Sequence, residues 1–499
     1  MSSLWRLTAA PVRTDPFPAK ERWDVVVAGA GLTGLTTAVL LARAGQRVLV
    51  LEARDVGSVT TGNTTGKLSL LQGTVLSEIR KHAGDEVLRA YAQANREGQA
   101  WLLRELTRRG APADRRPAYT YAATDAGVPT LEAEFDASAA AGIPARLVEG
   151  PADIGLPFPV QGALQLEEQA QLQPMAVLTE LAVELRERGG MLVEGCRVLG
   201  AEADSVGVDV ETTLGPLTAQ VCVLATGVPI LDRGMFFARL EPTRSYAAAY
   251  RLPQTDLPYG MYVSADGPTR SLRTAAGLDG SDVLVVGGGS HVTGRSASTP
   301  SALRELDEWT AQNFAGAKRI AWWGAQDYRA HSRVPFAGPV VGSHERIFAA
   351  TGYNKWGMTN AIAAALTLSA DILGGRLDWA RKLREHGLGA ATLGAAAAAN
   401  VSVAGRVVSG WASAETQPEG DPGPLAEGEG VVVREGLSPV GVSRVDGVQC
   451  RVSGVCTHLG GVLNWNAAER SWDCPLHGSR FSARGELLEG PAVRDLEQR

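Results

Sequence analysis

Apolar positions near the start of the chain change period twice within 28 residues. "DVVVAGAG", from Asp24, is a continuous apolar run of strand length. "LTGLTTAVLLARAG" then repeats apolar residues at helical spacing, and "QRVLVLE" is apolar throughout again. The pattern predicts strand, tight turn, helix and strand over 24–51, a βαβ unit with parallel strands. A second helix–strand pair is expected at 175–198, "MAVLTELAVELRERGGMLVEGCRV", and a strand at 219–227, "AQVCVLATG". Between about 231 and 334 the runs shorten and fill with Tyr, Arg and Gly. "LDRGMFFARLEPTRSYAAAYRL" and "SDVLVVGGGSHVTG" there predict antiparallel strands of a separate layer. An alanine-rich stretch, 387–400, precedes "ETQPEGDPGPLAEGEG", which has no apolar periodicity, so 386–428 is expected to be an exposed linker. Short strands are expected in the remaining 429–499, and no internal repeat is visible.

Composition bounds the partners. A chain of 499 residues exceeds one ordinary core, and 45% hydrophobic with 20% charged residues describes a globular protein of two or three domains. A net charge of −6 gives no electrostatic reason to bind nucleic acid or an anionic membrane. No window has the roughly 18 apolar residues of a membrane span. "MSSLWRLTAAPVRTDPF" has no signal-peptide core, and its Arg6 and Arg13 are separated, so a cytoplasmic protein is expected. Five cysteines are too few for a disulfide scaffold at this length.

Gly29-Ala-Gly31-Leu-Thr-Gly34 ends the first strand and opens the first helix. The first glycine permits the turn, the second lets backbone approach a pyrophosphate, and the third lets helix pack on strand. Glu52, at the end of the second strand, is placed to accept ribose hydroxyls. Further motifs follow. "GSVTTGNTTGKLS", 57–69, resembles the second cofactor loop of FAD proteins of the D-amino-acid oxidase and glycine/sarcosine oxidase superfamily. "VLATG", ending at Gly227, resembles its second glycine turn, and "ATGYNKWGMTNA", 350–361, its third, where a helix N-terminus approaches the flavin. Val198 matches the position whose backbone meets adenine.

The resemblance spans 22–375 and implies FAD. Its expected contacts are Gly29, Gly31, Gly34, Glu52, Arg54, Thr61, Thr64, Thr65, Val198, Thr226, Gly227, Gly352, Trp356, Gly357, Met358 and Thr359. It also implies an α/β Rossmann-type FAD-binding domain with an antiparallel-sheet substrate domain. The whole flavin unit is set at 20–385, with FAD-binding parts at 22–110, 165–230 and 335–385, and substrate parts at 111–164 and 231–334. The glycines of "VVGGGSHVTG", 285–294, invite a second nucleotide site, but no helical pattern starts there and no acid follows at the right distance. A turn between substrate-domain strands is the better account.

"VCTHLGGVLNWNAAERSWDCPLHGS", 455–479, gives one Cys and one His twice, as Cys456-Thr-His458 and Cys474-Pro-Leu-His477. A single zinc is one reading. Mixed halves suit two iron ions better, the cysteines on one and the histidines on the other, bridged by sulfides. "CTHLGG", "CPLHGS" and "GELLEGPA" resemble Rieske domains, so a small all-β Rieske [2Fe–2S] domain is expected at 429–499. High-potential Rieske proteins join their two cluster loops by a disulfide; Gly461 and Leu476 occupy those places here. Ser479 keeps the hydroxyl that serves a bridging sulfide, while Phe481 replaces a tyrosine that bonds a cysteine sulfur. Fewer hydrogen bonds to sulfur imply a potential in the lower part of the ~−150 to +300 mV Rieske range. Cys450 is expected to be a core thiol.

A flavin takes two electrons from a substrate and a Rieske centre passes them singly. The pair resembles a bacterial branch of oxidase-like flavoproteins with a C-terminal Rieske domain. Relatives of the FAD domain oxidise C–N bonds, so the expected function is oxidation of a small amine or amino-acid-like substrate, with electrons leaving to an external one-electron carrier or oxygen. The pocket candidates are Lys355, His291, Arg244, Arg329 and Tyr246, with Tyr250, Tyr328 and Tyr353. Arg244 or Arg329 would clamp a carboxylate, although an ordinary ion pair is the commoner fate of such arginines. His291 would act as a base unless simply exposed, and Lys355 would tune the flavin. The other reading is an electron-transfer component whose FAD is reduced by NAD(P)H or a partner; the lack of an NAD(P)H-binding βαβ weakens it. A Rieske oxygenase lacks its mononuclear iron site, since only seven histidines are present and two ligate the cluster.

Overall fold

The apolar run at 24–28 lies at the centre of the first sheet, where it is shielded from water on both faces. In the computed structural model, which describes residues 2–499 except 112, 232, 254–256, 297, 388, 390–409 and 413–418, the strand Arg22–Ala28 pairs in parallel with Val48–Leu51 on one side and Leu217–Leu224 on the other. Val26, Val27, Val48, Leu49 and Val50 are fully buried, as parallel strands covered on both faces require. Met191–Val193 and Ile347–Thr351 extend the sheet in parallel, and Phe336–Pro339 closes one edge antiparallel. The helices Leu32–Arg43 and Gly357–Ile372 pack against each other beside this sheet.

A second, nine-stranded sheet carries the strands Leu240–Arg251, Asp282–Val292 and Lys318–Ala330 in antiparallel register. Its far part is built from Asp114–Ala122 and Gly162–Gln171, with Met261–Ser264 parallel to the former. The short strand Lys67–Leu68 ends this sheet, which ties the second cofactor loop to the substrate layer. Two expectations change here. Gly287 to Gly289 do not form a turn; they sit inside the strand Asp282–Val292, paired with Leu240–Arg251 across a register shift. Residues 165–171 belong to this sheet rather than to the flavin layer.

The C-terminal unit has two small antiparallel sheets, Gly430–Glu435 to Ser453 and Asn464–Asn466 to Glu489. Part of the expected linker joins it. Gly420 N–H donates to Arg434 O (2.9 Å), Gly428 N–H to Arg444 O (2.8 Å), and Glu427 caps the turn at Asp446 and Gly447. Most of the alanine-rich stretch, with 413–418, lies outside the described residues. Cys450 is half-buried rather than a core residue. No helix among the described residues is long and apolar enough to cross a membrane.

Candidate functional site: a flavin cavity beneath a cluster

The three cofactor segments read from the sequence meet at one cavity. Gly29, Gly31, Glu52, Arg54 and Val198 line it, as do Thr61, Thr64, Thr65, Thr226 and Gly227. So do Gly352, Trp356, Gly357 and Met358. Gly29 has φ +103°, and a Cβ there would lie 2.5 Å from Ala225 O, so the turn demands glycine. A Cβ on Gly31 would meet little besides Thr61 Oγ1 at 3.3 Å, which leaves its backbone open to the cavity. Gly31 opens the helix Leu32–Arg43 with no side-chain cap, as an anion-binding helix start does. Glu52 accepts Ala30 N–H on Oε2 (2.9 Å) and Arg54 N–H on Oε1 (3.0 Å), and each oxygen keeps a lone pair for a hydroxyl. Burial pushes its pKa up, partly offset by those two N–H groups. This geometry fits an FAD along the cavity.

Two of the expected contacts do not reach it. Gly34 packs helix on turn, since a Cβ would come within 1.9 Å of Gly29 O. Thr359 is a correction: its hydroxyl is buried between Asn95 Oδ1 (2.5 Å) and Gln72 Nε2 (3.0 Å), because the helix that begins at Gly357 turns that side chain inward.

The pocket candidates divide in the same way. Lys355 and Tyr246 line the cavity, with Ser290, Ser271, Asp327 and Tyr328. Lys355 Nζ donates to Ser290 Oγ (2.6 Å) and its backbone N–H to Asp327. Its surroundings are desolvating although the head group faces the open cavity, so its pKa falls, with Asp327 opposing. Burial lifts Asp327 to about 6 and the Tyr246 phenol well above its ordinary value.

Arg244, Arg329 and His291 are corrections as cavity residues. Arg244 is 2% exposed and its guanidinium is committed to Glu469 and Glu489. Arg329 is half-buried on the strand Lys318–Ala330 outside the cavity lining, and His291 turns Nδ1 to Gly289 O (2.9 Å) beside Tyr246. Tyr250 donates to Asp307 (2.8 Å), away from the cavity, and Tyr353 hydrogen-bonds Thr33 (2.8 Å).

Sequence reasoning missed Lys67. It lines the cavity, is 5% exposed, and Nζ donates to Ser271 Oγ (2.6 Å) and Thr65 Oγ1 (3.3 Å). No carboxylate pairs with it among the described residues. Burial first, then nearby Arg273, push its pKa well below that of a free lysine, toward a neutral amine. The available signal was a lysine inside the quoted loop "GNTTGKLS", at the head of a buried strand.

In the C-terminal unit, the loops 456–461 and 474–479 bring Cys456 against Cys474 and His458 against His477, whose ring centroids lie 5.2 Å apart. The two sulfurs interact directly, which pushes the Cys456 thiol down and the Cys474 thiol up. Backbone N–H groups of His458, Leu459, Leu476 and His477 point at the sulfurs. His477 is 5% exposed, burial pushes it down to about 4, and neither ring nitrogen has a hydrogen-bond partner among the described residues. Among those residues no three His, Cys, Asp or Glu side chains converge on one point. A cysteine pair facing an imidazole pair, with both ring nitrogens of His477 buried and unpartnered among the described residues, fits a [2Fe–2S] cluster. Leu476 packs where a Gly461 Cβ would stand (2.6 Å), filling the place of the absent disulfide.

The cluster loops face the flavin unit. The Phe237 ring lies edge-on to His477 (5.0 Å) and His458 (5.5 Å). Gln326 Nε2 donates to Gly478 O (2.8 Å) and to the Tyr328 hydroxyl (2.9 Å), and Arg295 Nε to Pro475 O (2.9 Å).

Comparison with known proteins gives this arrangement its family. The model of FAD dependent oxidoreductases matches residues 24–370, and that of the Rieske [2Fe-2S] domain matches 415–498. The Rieske 2Fe-2S iron-sulfur protein YhfW of Bacillus subtilis (strain 168) is 30% identical over 497 residues, covering 97% of this chain and 95% of that one. Among solved structures, glycine oxidase from Geobacillus kaustophilus superposes with a TM-score of 0.60 at 18% identity, over 72% of this chain and 96% of that one. L-amino acid deaminase from Proteus vulgaris does so with a TM-score of 0.60 at 16% identity, over 75% and 99%. With both cofactor sites formed and both family models matched along its length, the chain belongs to the FAD-dependent oxidoreductases and carries a C-terminal Rieske [2Fe–2S] domain.

Proposed function

We propose that the protein oxidises a small amine or amino-acid-like substrate in this cavity and passes the electrons singly to an external one-electron carrier. One observation carries the reading: a single cavity joins the flavin motifs, the polar face of the substrate sheet and, through Gln326 and its bond to Gly478 O beside His477, the histidine side of the cluster. Bound FAD supplies hydride acceptance and the cluster one-electron transfer.

The chain's own residues supply the rest. Lys67, its pKa lowered by burial and its amine held by Ser271, accepts at Nζ a proton from the substrate's ammonium group, which frees the amine lone pair. Lys355, fixed by Ser290 and by Asp327 behind it, supplies the cation that faces the substrate end and the flavin. The solved structures of similar fold named above are a glycine oxidase and an amino acid deaminase, consistent with C–N chemistry. In this reading the protein lies in the cytoplasm, whose reducing pool keeps Cys196, Cys222 and Cys450 as thiols.

The test is anaerobic addition of single amines, amino acids, NADH and NADPH to the holoprotein, following flavin and cluster absorbance. Bleaching by an amine, flavin first and cluster second, is the expected result. Reduction by a nicotinamide alone would replace this reading with an electron-transfer reductase.

A further inference from the structure

The segment Leu487 to Val493 of the Rieske domain has two faces with different duties. On one face it holds the cluster loops: Ala492 N–H donates to Ser479 Oγ (3.0 Å), and the Ser479 hydroxyl contacts the Cys456 sulfur. On the other face Leu488, Glu489, Gly490, Ala492 and Val493 line the flavin cavity. The segment is fastened over a defined part of that cavity. Leu487 O accepts from Arg197 Nη2 (2.9 Å), next to Val198, and a Cβ on Gly490 would lie 4.0 Å from Val228, next to Gly227. Glu489 adds a third tie, accepting Arg244 Nη1 (3.1 Å) and Arg480 Nη1 (2.7 Å) on one oxygen.

We propose that this segment is the lid of the FAD site: the Rieske domain forms part of the flavin-binding wall, so FAD retention and the cluster loops are linked through residues 487–493. The wall is apolar at Leu488 and Val493 and lies over the stretch bounded by Arg197–Val198 and Gly227–Val228. A bound flavin there removes Leu488 and Val493 from water, so each stabilises the other's place. Because Ala492 also fixes Ser479, loosening the cluster loop loosens the wall. Linkage is reciprocal, so emptying the flavin cavity loosens the segment.

The experiment uses the full holoprotein with both cofactors. In Leu488→Ala/Val493→Ala, both half-buried side chains at the cavity are shortened without touching a cluster ligand. FAD release after dilution, followed by the rise of flavin fluorescence, is expected to be about tenfold faster, the factor that ~1.4 kcal/mol carries. The Rieske electron paramagnetic resonance signal stays as in the wild type, and Leu488→Met/Val493→Ile restores slow release. Wild-type release in the doubly shortened chain with an intact cluster signal overturns the proposal. Should that variant fail to fold, the wild-type chain decides. Amide exchange across 487–493 is expected to speed up when FAD alone is stripped and the cluster kept, and unchanged exchange overturns the proposal. Neither readout depends on the substrate.

Discussion

Arg244 and Glu469 meet across the boundary between the flavin and Rieske units as a two-pronged pair, with their side chains 2% and 0% exposed. Arg480 joins from the Rieske side, to Glu469 at 3.0 Å and Asp473 at 2.9 Å. Desolvation alone would raise Glu469, but the two arginines pull it to about 2. Since that lies below the unfolded value of 4.5, its contribution to stability is present above about 4.5 and fades as pH falls toward 2. Arg244→Met leaves a buried carboxylate facing one arginine fewer, and a stability loss of about 3–5 kcal/mol is expected in denaturant unfolding. Arg244→Lys should rescue it only in part, since an ammonium cannot grip both oxygens.

Lys67→Met removes the buried amine at the cavity and keeps a side chain of similar length. Flavin reduction by the substrate at neutral pH is expected to fall about 10²- to 10⁴-fold, the range of a lost general base. The flavin-to-protein ratio and the cluster signal should not change. An unaltered rate would remove Lys67 from the chemistry.

Asp327 is neutral below about pH 6 and ionised above it. Its raised pKa makes its contribution to folding greatest below the unfolded value of 3.8 and lost as pH rises through about 6. The carboxylate accepts the Lys355 N–H only fully charged above that point. The rate of flavin reduction is therefore expected to show a limb near pH 6, absent in Asp327→Asn. Stopped-flow profiles of the two proteins decide it.

The cluster potential should fall in the lower part of the ~−150 to +300 mV range. Phe481 is fully buried, and Phe481→Tyr, by adding a hydroxyl donor, is expected to raise the potential. Redox titration followed by electron paramagnetic resonance measures both.

Gly29→Ala places a methyl 2.5 Å from Ala225 O at a left-handed backbone position. The chain is expected to purify with most of its flavin missing, read from the visible-to-ultraviolet absorbance ratio.

Both cofactors were legible because their signals are local. Gly29, Gly31 and Gly34 fall within one turn, and Cys456 with His458, then Cys474 with His477, within two short loops, so chain connectivity already limits the geometry. Period also carried the parallel strands and the substrate layer. The pattern misread Gly287 to Gly289, because glycines that let a strand run close to Arg270 and Thr65 look like a turn when their neighbours are unknown.

What the tertiary structure alone decided was which charges face the cavity. Arg244 and Lys67 are both basic residues on buried strands, and nothing in their neighbouring sequence says which meets an acid. Arg244 is held by acids 225 and 245 positions away, while Lys67 pairs with no acid among the described residues and lines the flavin cavity. The docking of the Rieske domain was equally invisible in the sequence, since it depends on complementary groups such as Arg244 and Glu469 that lie far apart along the chain. By itself the sequence determined the chemistry available at each end of the chain. Long-range packing determined that the two ends share one cavity, because burial and ion pairing act on distance in space, whatever the separation along the chain.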